Sequence, residues 1–173
     1  MPDSLQQIVL TAVNHEKYFE NVLTIMKKIA KNESIIYVST NKSYDQLISL
    51  FKSAKIDTRN FFFIDCISRT MEEKREEGLK NVLHVESPEH LTSISFAITE
   101  SIKHLPNEKI VVLDSLSTML IYNGENAIGM FSNFIINKMR AAGVGIILLV
   151  LETDLNKEVV KKIETFVDKV EKY

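Results

Sequence analysis

Asp114 is where the sequence comes nearest to a recognisable piece of chemistry. It ends the apolar run Ile110, Val111, Val112, Leu113 within Lys109–Asn123, KIVVLDSLSTMLIYN, and small hydroxyl residues follow it. In a nucleotide-hydrolysing protein such a strand offers its terminal carboxylate to magnesium, directly or through water, beside bound phosphates. The alternative is that Asp114 closes the following turn through its side chain.

The metal reading needs a phosphate loop of the form GxxxxGK[ST]. Its glycines let backbone N–H groups approach the phosphates, its lysine bridges the outer phosphates, and its hydroxyl binds magnesium. The first strand-to-helix junction reads TAVNHEKY, Thr11 to Tyr18. Aligned on Lys17, it sets Thr11 and Glu16 at the glycine positions and Tyr18 at the hydroxyl position. Of the five glycines in the chain the first is Gly78, so this junction has none. Glu16 opposes binding: a carboxylate about 4 Å from a phosphate charge costs on the order of 4 kcal/mol at an effective dielectric of about 20. At about 1.4 kcal/mol per factor of ten, that removes roughly a thousandfold in affinity. Lys17 then reads as a solvated first-turn lysine.

Other chemistries have less support. His15, His84, His90 and His104 lack metal-ligand spacing, and the single cysteine, Cys66, reads as a small buried residue. One cysteine excludes an internal disulfide and suits a reducing compartment. No nucleophile elbow or dinucleotide-binding glycine fingerprint occurs. The net charge of −2 comes from interspersed lysine and glutamate and gives no electrostatic support for nucleic acid. MPDSLQQIVL is not patterned as a signal peptide. The longest apolar run, Gly143 to Leu151, is about half the ~20 residues that a membrane-spanning helix requires. The expectation is a cytoplasmic protein without a membrane partner.

The elements that must position Asp114 follow from periodicity. QQIVLTAV, SIIYVST (Ser34 to Thr40), NFFFIDC, NVLHV, the strand ending at Asp114 and GIILLVLE are continuously apolar, as strands buried on both faces are. Between them, Tyr18, Val22, Ile25, Met26 and Ile29 predict a helix that Asn14 can cap. Ser43 and Gln46 form a capping box for the next. Ser87 and Pro88 predict the start of a third, with Leu91, Ile94, Ile98 and Ile102 inward, and a further helix runs from about Glu125 to Arg140. SRTMEEKREEGLK reads as a charged loop or frayed helix. With 173 residues, 45% of them hydrophobic, the chain is expected to form one α/β domain over 1–173. Its architecture is three-layer and doubly wound, around a mainly parallel sheet. By periodicity the tail NKEVVKKIETFVDKVEKY is one helix, or a helix followed by a short edge strand.

In order, IIYVSTNKSYDQL, NFFFIDCIS, HVESPEHLTSISFAI, KIVVLDSLSTMLIYN and GVGIILLVLETD resemble the core segments of the archaeal KaiC-like branch of the RecA-type ATPases. The resemblance implies that the tail is a helix over about Leu155 to Glu164 and then a terminal strand beside the first strand. It also implies the strand order, outward: first strand, GIILLVLE, the Asp114 strand, IIYVST, FFFID. In active members the segment matching Ser34 to Lys42 resembles YVTFEES, whose paired glutamates stand beside the attacking water. Thr40 and Asn41 take their place here, and neither accepts a proton as a carboxylate does.

The resemblance therefore implies an inactive homologue acting as a regulatory or protein-interaction module, with no catalytic residue and no metal ligand. Asn14, His15, Lys17, Thr40, Asn41, Asp114 and Ser115 would bound a vestigial nucleotide crevice, with no cofactor beyond weak ATP and magnesium binding. One alternative is a sensor that holds a nucleotide or other small ligand at the carboxyl ends of the strands; another is a weak ATPase. The hairpins with which relatives reach a neighbour's nucleotide have no counterpart in the segments above. The partner expected is a second copy in a homodimer, or an active KaiC-like paralogue, rather than a hexameric ring.

Overall fold

The structure is a computed structural model that describes residues 6–31, 33–71 and 80–173. The strands are β1 (Ile8–Val13), β2 (Ser34–Ser39), β3 (Phe61–Asp65), β4 (Val82–His84), β5 (Lys109–Asp114), β6 (Gly145–Leu151) and β7 (Lys169–Lys172). The helices are α1 (Tyr18–Ile29), α2 (Tyr44–Ser53), α3 (Leu91–His104), α4 (Leu116–Tyr122), α5 (Glu125–Ala142) and α6 (Glu158–Glu164). The seven strands form one sheet in the order β4-β3-β2-β5-β6-β1-β7, and every pairing is parallel. This is the strand order that the resemblance implied, with β7 beside β1.

Alternation along each strand divides the apolar side chains between two faces. Ile36, Val38, Val111, Leu113, Leu148 and Val150 pack with Ile94, Ile98, Ile135, Met139 and Ile163 under α3, α5 and α6. Ile35, Tyr37, Ile110, Val112 and Leu149 pack with Val22, Met26, Leu47 and Phe51 under α1 and α2. Helices on both faces explain why the strands are apolar without interruption.

Several helix starts differ from the sequence expectation. Asn14 does not cap α1: its side-chain oxygen accepts the Glu16 N–H at 3.0 Å, closing a local turn, and the helix begins later, at Tyr18. Ser87 likewise closes a turn, accepting the Glu89 N–H at 3.3 Å, and α3 starts at Leu91 rather than Pro88. The capping-box residue Gln46 does accept the Ser43 N–H, at 3.1 Å. Helix α4 was not anticipated. Residues 72–79, most of the charged SRTMEEKREEGLK stretch, lie outside the described residues. Gly143 ends α5 at φ 65°, the left-handed conformation in which a side chain is strained.

Candidate functional site

Parallel register lines up polar residues along the carboxyl edge of the sheet. Ser39 of β2 pairs with Asp114 of β5 on one side and Asp65 of β3 on the other, and Asp65 pairs with His84 of β4. Both carboxylates are fully buried. A buried carboxylate needs donors for both oxygens, and the structure supplies them from within the chain.

At Asp114, Oδ2 accepts the Tyr37 hydroxyl at 2.5 Å. Oδ1 accepts the Tyr18 hydroxyl and the Asn41 amide at 2.7 Å. Asn41 in turn accepts the Thr118 hydroxyl. Burial pushes the Asp114 carboxyl above the usual carboxylate range, while the three donors and the charge of Lys42 act in the opposite sense. Burial first, then the Asp114 charge, raises the Tyr18 and Tyr37 hydroxyls far above the ordinary phenol range, so both are held as donors.

The turn after β5 is built separately from the Asp114 side chain. The Asp114–Ser115 peptide is cis. Thr40 donates its hydroxyl to the Asp114 carbonyl at 2.8 Å and accepts the Ser115 N–H at 2.9 Å. Ser115 caps α4, its hydroxyl accepting the Thr118 N–H at 3.2 Å. The turn-closing role considered for Asp114 thus belongs to Ser115 and Thr40.

Asp65 forms a second polar knot. It accepts the N–H groups of Tyr44 at 2.7 Å, Ile67 at 2.8 Å and Ser68 at 2.9 Å, together with the Ser68 hydroxyl. His84 Nδ1 lies 3.5 Å from its Oδ2. Cys66 is buried beside it, and burial followed by the Asp65 charge pushes the thiol well up, which suppresses its nucleophilic form. The sequence signal for this knot was an acidic residue ending an otherwise apolar strand, as at Asp114.

Of the residues singled out from sequence, His15, Asn41 and Ser115 meet at a hollow of about 300 Å³ over the carboxyl edge. Tyr18, Phe19, Lys42, Thr118 and Leu151 complete its lining. Lys42 places its Nζ 4.3 Å from the centre of the Phe19 ring. Thr40 and Asp114 are buried; Asn14 and Lys17 are exposed and do not line the hollow. Sequence reasoning missed Tyr37. A phenol inside a buried aliphatic strand has to find a polar partner, and that was the available signal. No group of three or more His, Cys, Asp or Glu side chains suited to a metal ion occurs among the described residues. No helix among them is long and apolar enough to cross a membrane.

Comparison with solved structures places this architecture. KaiC-like protein PH0186 of the hyperthermophilic archaeon Pyrococcus horikoshii is 13% identical and matches with a TM-score of 0.67 over 96% of this chain and 71% of its own. The uncharacterized protein PH0321 of the same organism, solved in complex with an unknown peptide, is 12% identical, with a TM-score of 0.73 over 98% of this chain and 78% of its own. A third P. horikoshii protein, PH0250, gives a TM-score of 0.63 at 11% identity, over 97% of this chain and 82% of its own. The fold is therefore KaiC-like. No curated protein sequence matches the chain. The model of a family of unknown function, DUF7504, matches residues 21–170, and the chain belongs to that family.

Proposed function

We propose that this chain is a KaiC-like fold without nucleotide hydrolysis, acting as a regulatory or protein-interaction module. The observation that carries the reading is that both oxygens of Asp114 are taken by donors of the chain itself. A magnesium ion bound there would have to displace Tyr18, Tyr37 or Asn41 and leave buried hydroxyls or an amide unpaired. The first junction points the same way, and it is shorter than its sequence suggested. β1 runs through Thr11 to Val13 and α1 begins at Tyr18, so Thr11 pairs within the sheet and Asn14 to Lys17 alone are left, too short a link for a phosphate loop. Neither Thr40 nor Asn41 can serve as base, and both are committed to hydrogen bonds at the β5 end. The residues present do not fit a magnesium–nucleotide pair. The bound peptide of PH0321 is in keeping with a role in contacts between polypeptides.

A second reading, a small-ligand sensor, is favoured by the hollow, where His15, Asn41, Lys42, Ser115 and Thr118 bring polar groups beside Phe19 and Leu151. Calorimetry with magnesium-ATP, run beside a turnover assay, separates the readings. The interaction module predicts no turnover above background and no tight binding. A sub-micromolar dissociation constant without turnover would favour the sensor, and turnover abolished by Asp114→Asn would refute both.

A further inference from the structure

The sheet leaves one stretch of its interior strands bare. Such strands in a parallel sheet are covered on both faces, and on the side of α3 and α5 Ile8, Leu10, Ile146 and Leu148 are fully buried. On the opposite side α1 covers β1 and β6 only in part, and Val9 and Ile147 stay half-buried. A recess of about 350 Å³ lies over them, the size of a small-ligand pocket. Helix α1 forms one wall through Ile25 and Lys28, and β7 forms the other through Glu171 and Tyr173. The floor follows β1 from Gln7 to Thr11, about 13 Å at ~3.3 Å per residue. Gly145, at the start of β6, leaves part of that floor without a side chain, and glycine within a sheet often marks a place where another group comes close.

Two polar groups in the recess have spare capacity. Thr11 is 1% exposed, yet among the described residues its hydroxyl has no hydrogen-bond partner. A buried hydroxyl is costly to leave unmet, and valine would fill the same place in a strand without that cost. Lys28 reaches from α1 across to β7: its Nζ donates to the Tyr173 hydroxyl at 2.7 Å and lies 4.4 Å from the ring centre. An ammonium has three N–H donors, and among the described residues no carboxylate pairs with Lys28. The carboxylates lining the recess are engaged elsewhere, Glu171 by Lys169 at 2.5 Å and Glu33 by the Lys31 N–H at 3.3 Å.

We infer that the recess binds a small carboxylic acid with an extended aliphatic chain. The carboxylate accepts from the Lys28 ammonium and the Thr11 hydroxyl, and the chain lies along Val9 and Ile147. A carboxylate has two acceptor oxygens, so one head group answers both donors, and the bond to the ammonium is charge-assisted. An alcohol of the same length leaves the Lys28 charge unanswered. The recess shares no lining residue with the hollow at the carboxyl edge, so the inference is independent of what that hollow binds.

Calorimetric titration of the full chain with sodium octanoate, kept below micelle formation, should show saturable one-to-one binding. Octanol should bind at least tenfold more weakly, and Thr11→Val should weaken octanoate about tenfold, the scale of a hydrogen bond to a charged group. Lys28→Gln should weaken it by at least as much. Val9→Phe, which fills the recess, should abolish binding. Amide chemical shifts on titration should centre on Val9, Thr11 and Ile147. Because the Thr11 hydroxyl is unpaired in the chain, Thr11→Val should melt at no lower temperature than the parent, which separates binding from folding. Absence of saturable octanoate binding would overturn the proposal. So would equal affinity for octanol, shifts centred on another part of the chain, or binding indifferent to both Thr11→Val and Lys28→Gln.

Discussion

Replacing Tyr37 by phenylalanine removes one donor from Asp114 and leaves the shape of the core unchanged. The phenol gives Oδ2 a 2.5 Å hydrogen bond, whereas Tyr18 and Asn41 serve Oδ1. Hydrogen bonds to charged groups contribute about 1.5–3 kcal/mol, and a buried acceptor left unmet adds to the loss. With Asp114 ionised, Tyr37→Phe should therefore cost about 2–3 kcal/mol. At roughly 2–4 °C per kcal/mol for a chain of this size, the melting temperature should fall by about 5–10 °C. The pH dependence has a definite sign. Because the folded-state pKa of Asp114 is raised by burial, its contribution is full below the unfolded value and is lost as pH rises through the folded one. Tyr37→Phe raises the folded value further, so its penalty grows with pH over the same interval. In an Asp114→Asn background the lost bond is between neutral groups, worth about 1 kcal/mol, which leaves a coupling of about 1–2 kcal/mol. Urea denaturation of the four proteins of this double-mutant cycle, from about pH 5 to 9, measures it. A Tyr37→Phe penalty unchanged by pH and by Asp114→Asn would refute the assignment of Tyr37 as a donor to a buried carboxylate.

Two further substitutions probe the frame around the site. Asp168 accepts the Ile8 N–H at 2.8 Å and pairs with Arg140 at 2.9 Å, and the Ile8 bond is the main cause of its lowered pKa. Its contribution should be present above the unfolded carboxylate value and lost as pH falls through the folded one. Asp168→Asn should therefore cost about 1 kcal/mol near neutrality, discounted for its exposure, and progressively less in acid; thermal melts across pH check this, with hydrogen exchange at the Ile8 amide as a local readout. Gly143→Ala places a side chain at φ 65° and should destabilise by about 1–2 kcal/mol, which a single pair of melting curves will show.

The sheet was legible because each buried strand is an apolar run, and parallel packing between helical layers demands that pattern. Strand order needed more than periodicity, and it came from the resemblance to the KaiC-like core. Helix starts were less legible. Asn14 and Ser87 have the side chains of caps, yet both close turns a few residues early, and short hydroxyl and amide groups serve either geometry equally well. Helix α4 has seven residues, too few turns to display an apolar stripe, and its hydroxyl-rich start resembled a continued loop. At the site, Asp114 stood out by type and position, and Thr40 and Asn41 through the resemblance. Tyr37 did not, because a tyrosine in an apolar strand contributes to the hydrophobic pattern while its hydroxyl reaches a residue 77 positions away.

Tyr18 connects the sequence argument to the geometry. On alignment with a phosphate loop it occupies the place of the hydroxyl that binds magnesium, and it still carries a hydroxyl there. On a phenol that group extends to Asp114 itself, so two positions that would share a metal ion share a hydrogen bond instead. The substitution satisfies the carboxylate from within the chain and places a ring in the wall of the hollow. It also redistributes what Asp114 can affect. Where such a carboxylate holds magnesium, its loss is felt chiefly in catalysis; joined to two phenols and an amide, its loss must be felt in the packing of β5 against α1 and β2. Tyr18→Phe therefore belongs with Tyr37→Phe as a stability variant, whose effect should shrink to about 1 kcal/mol in an Asp114→Asn background.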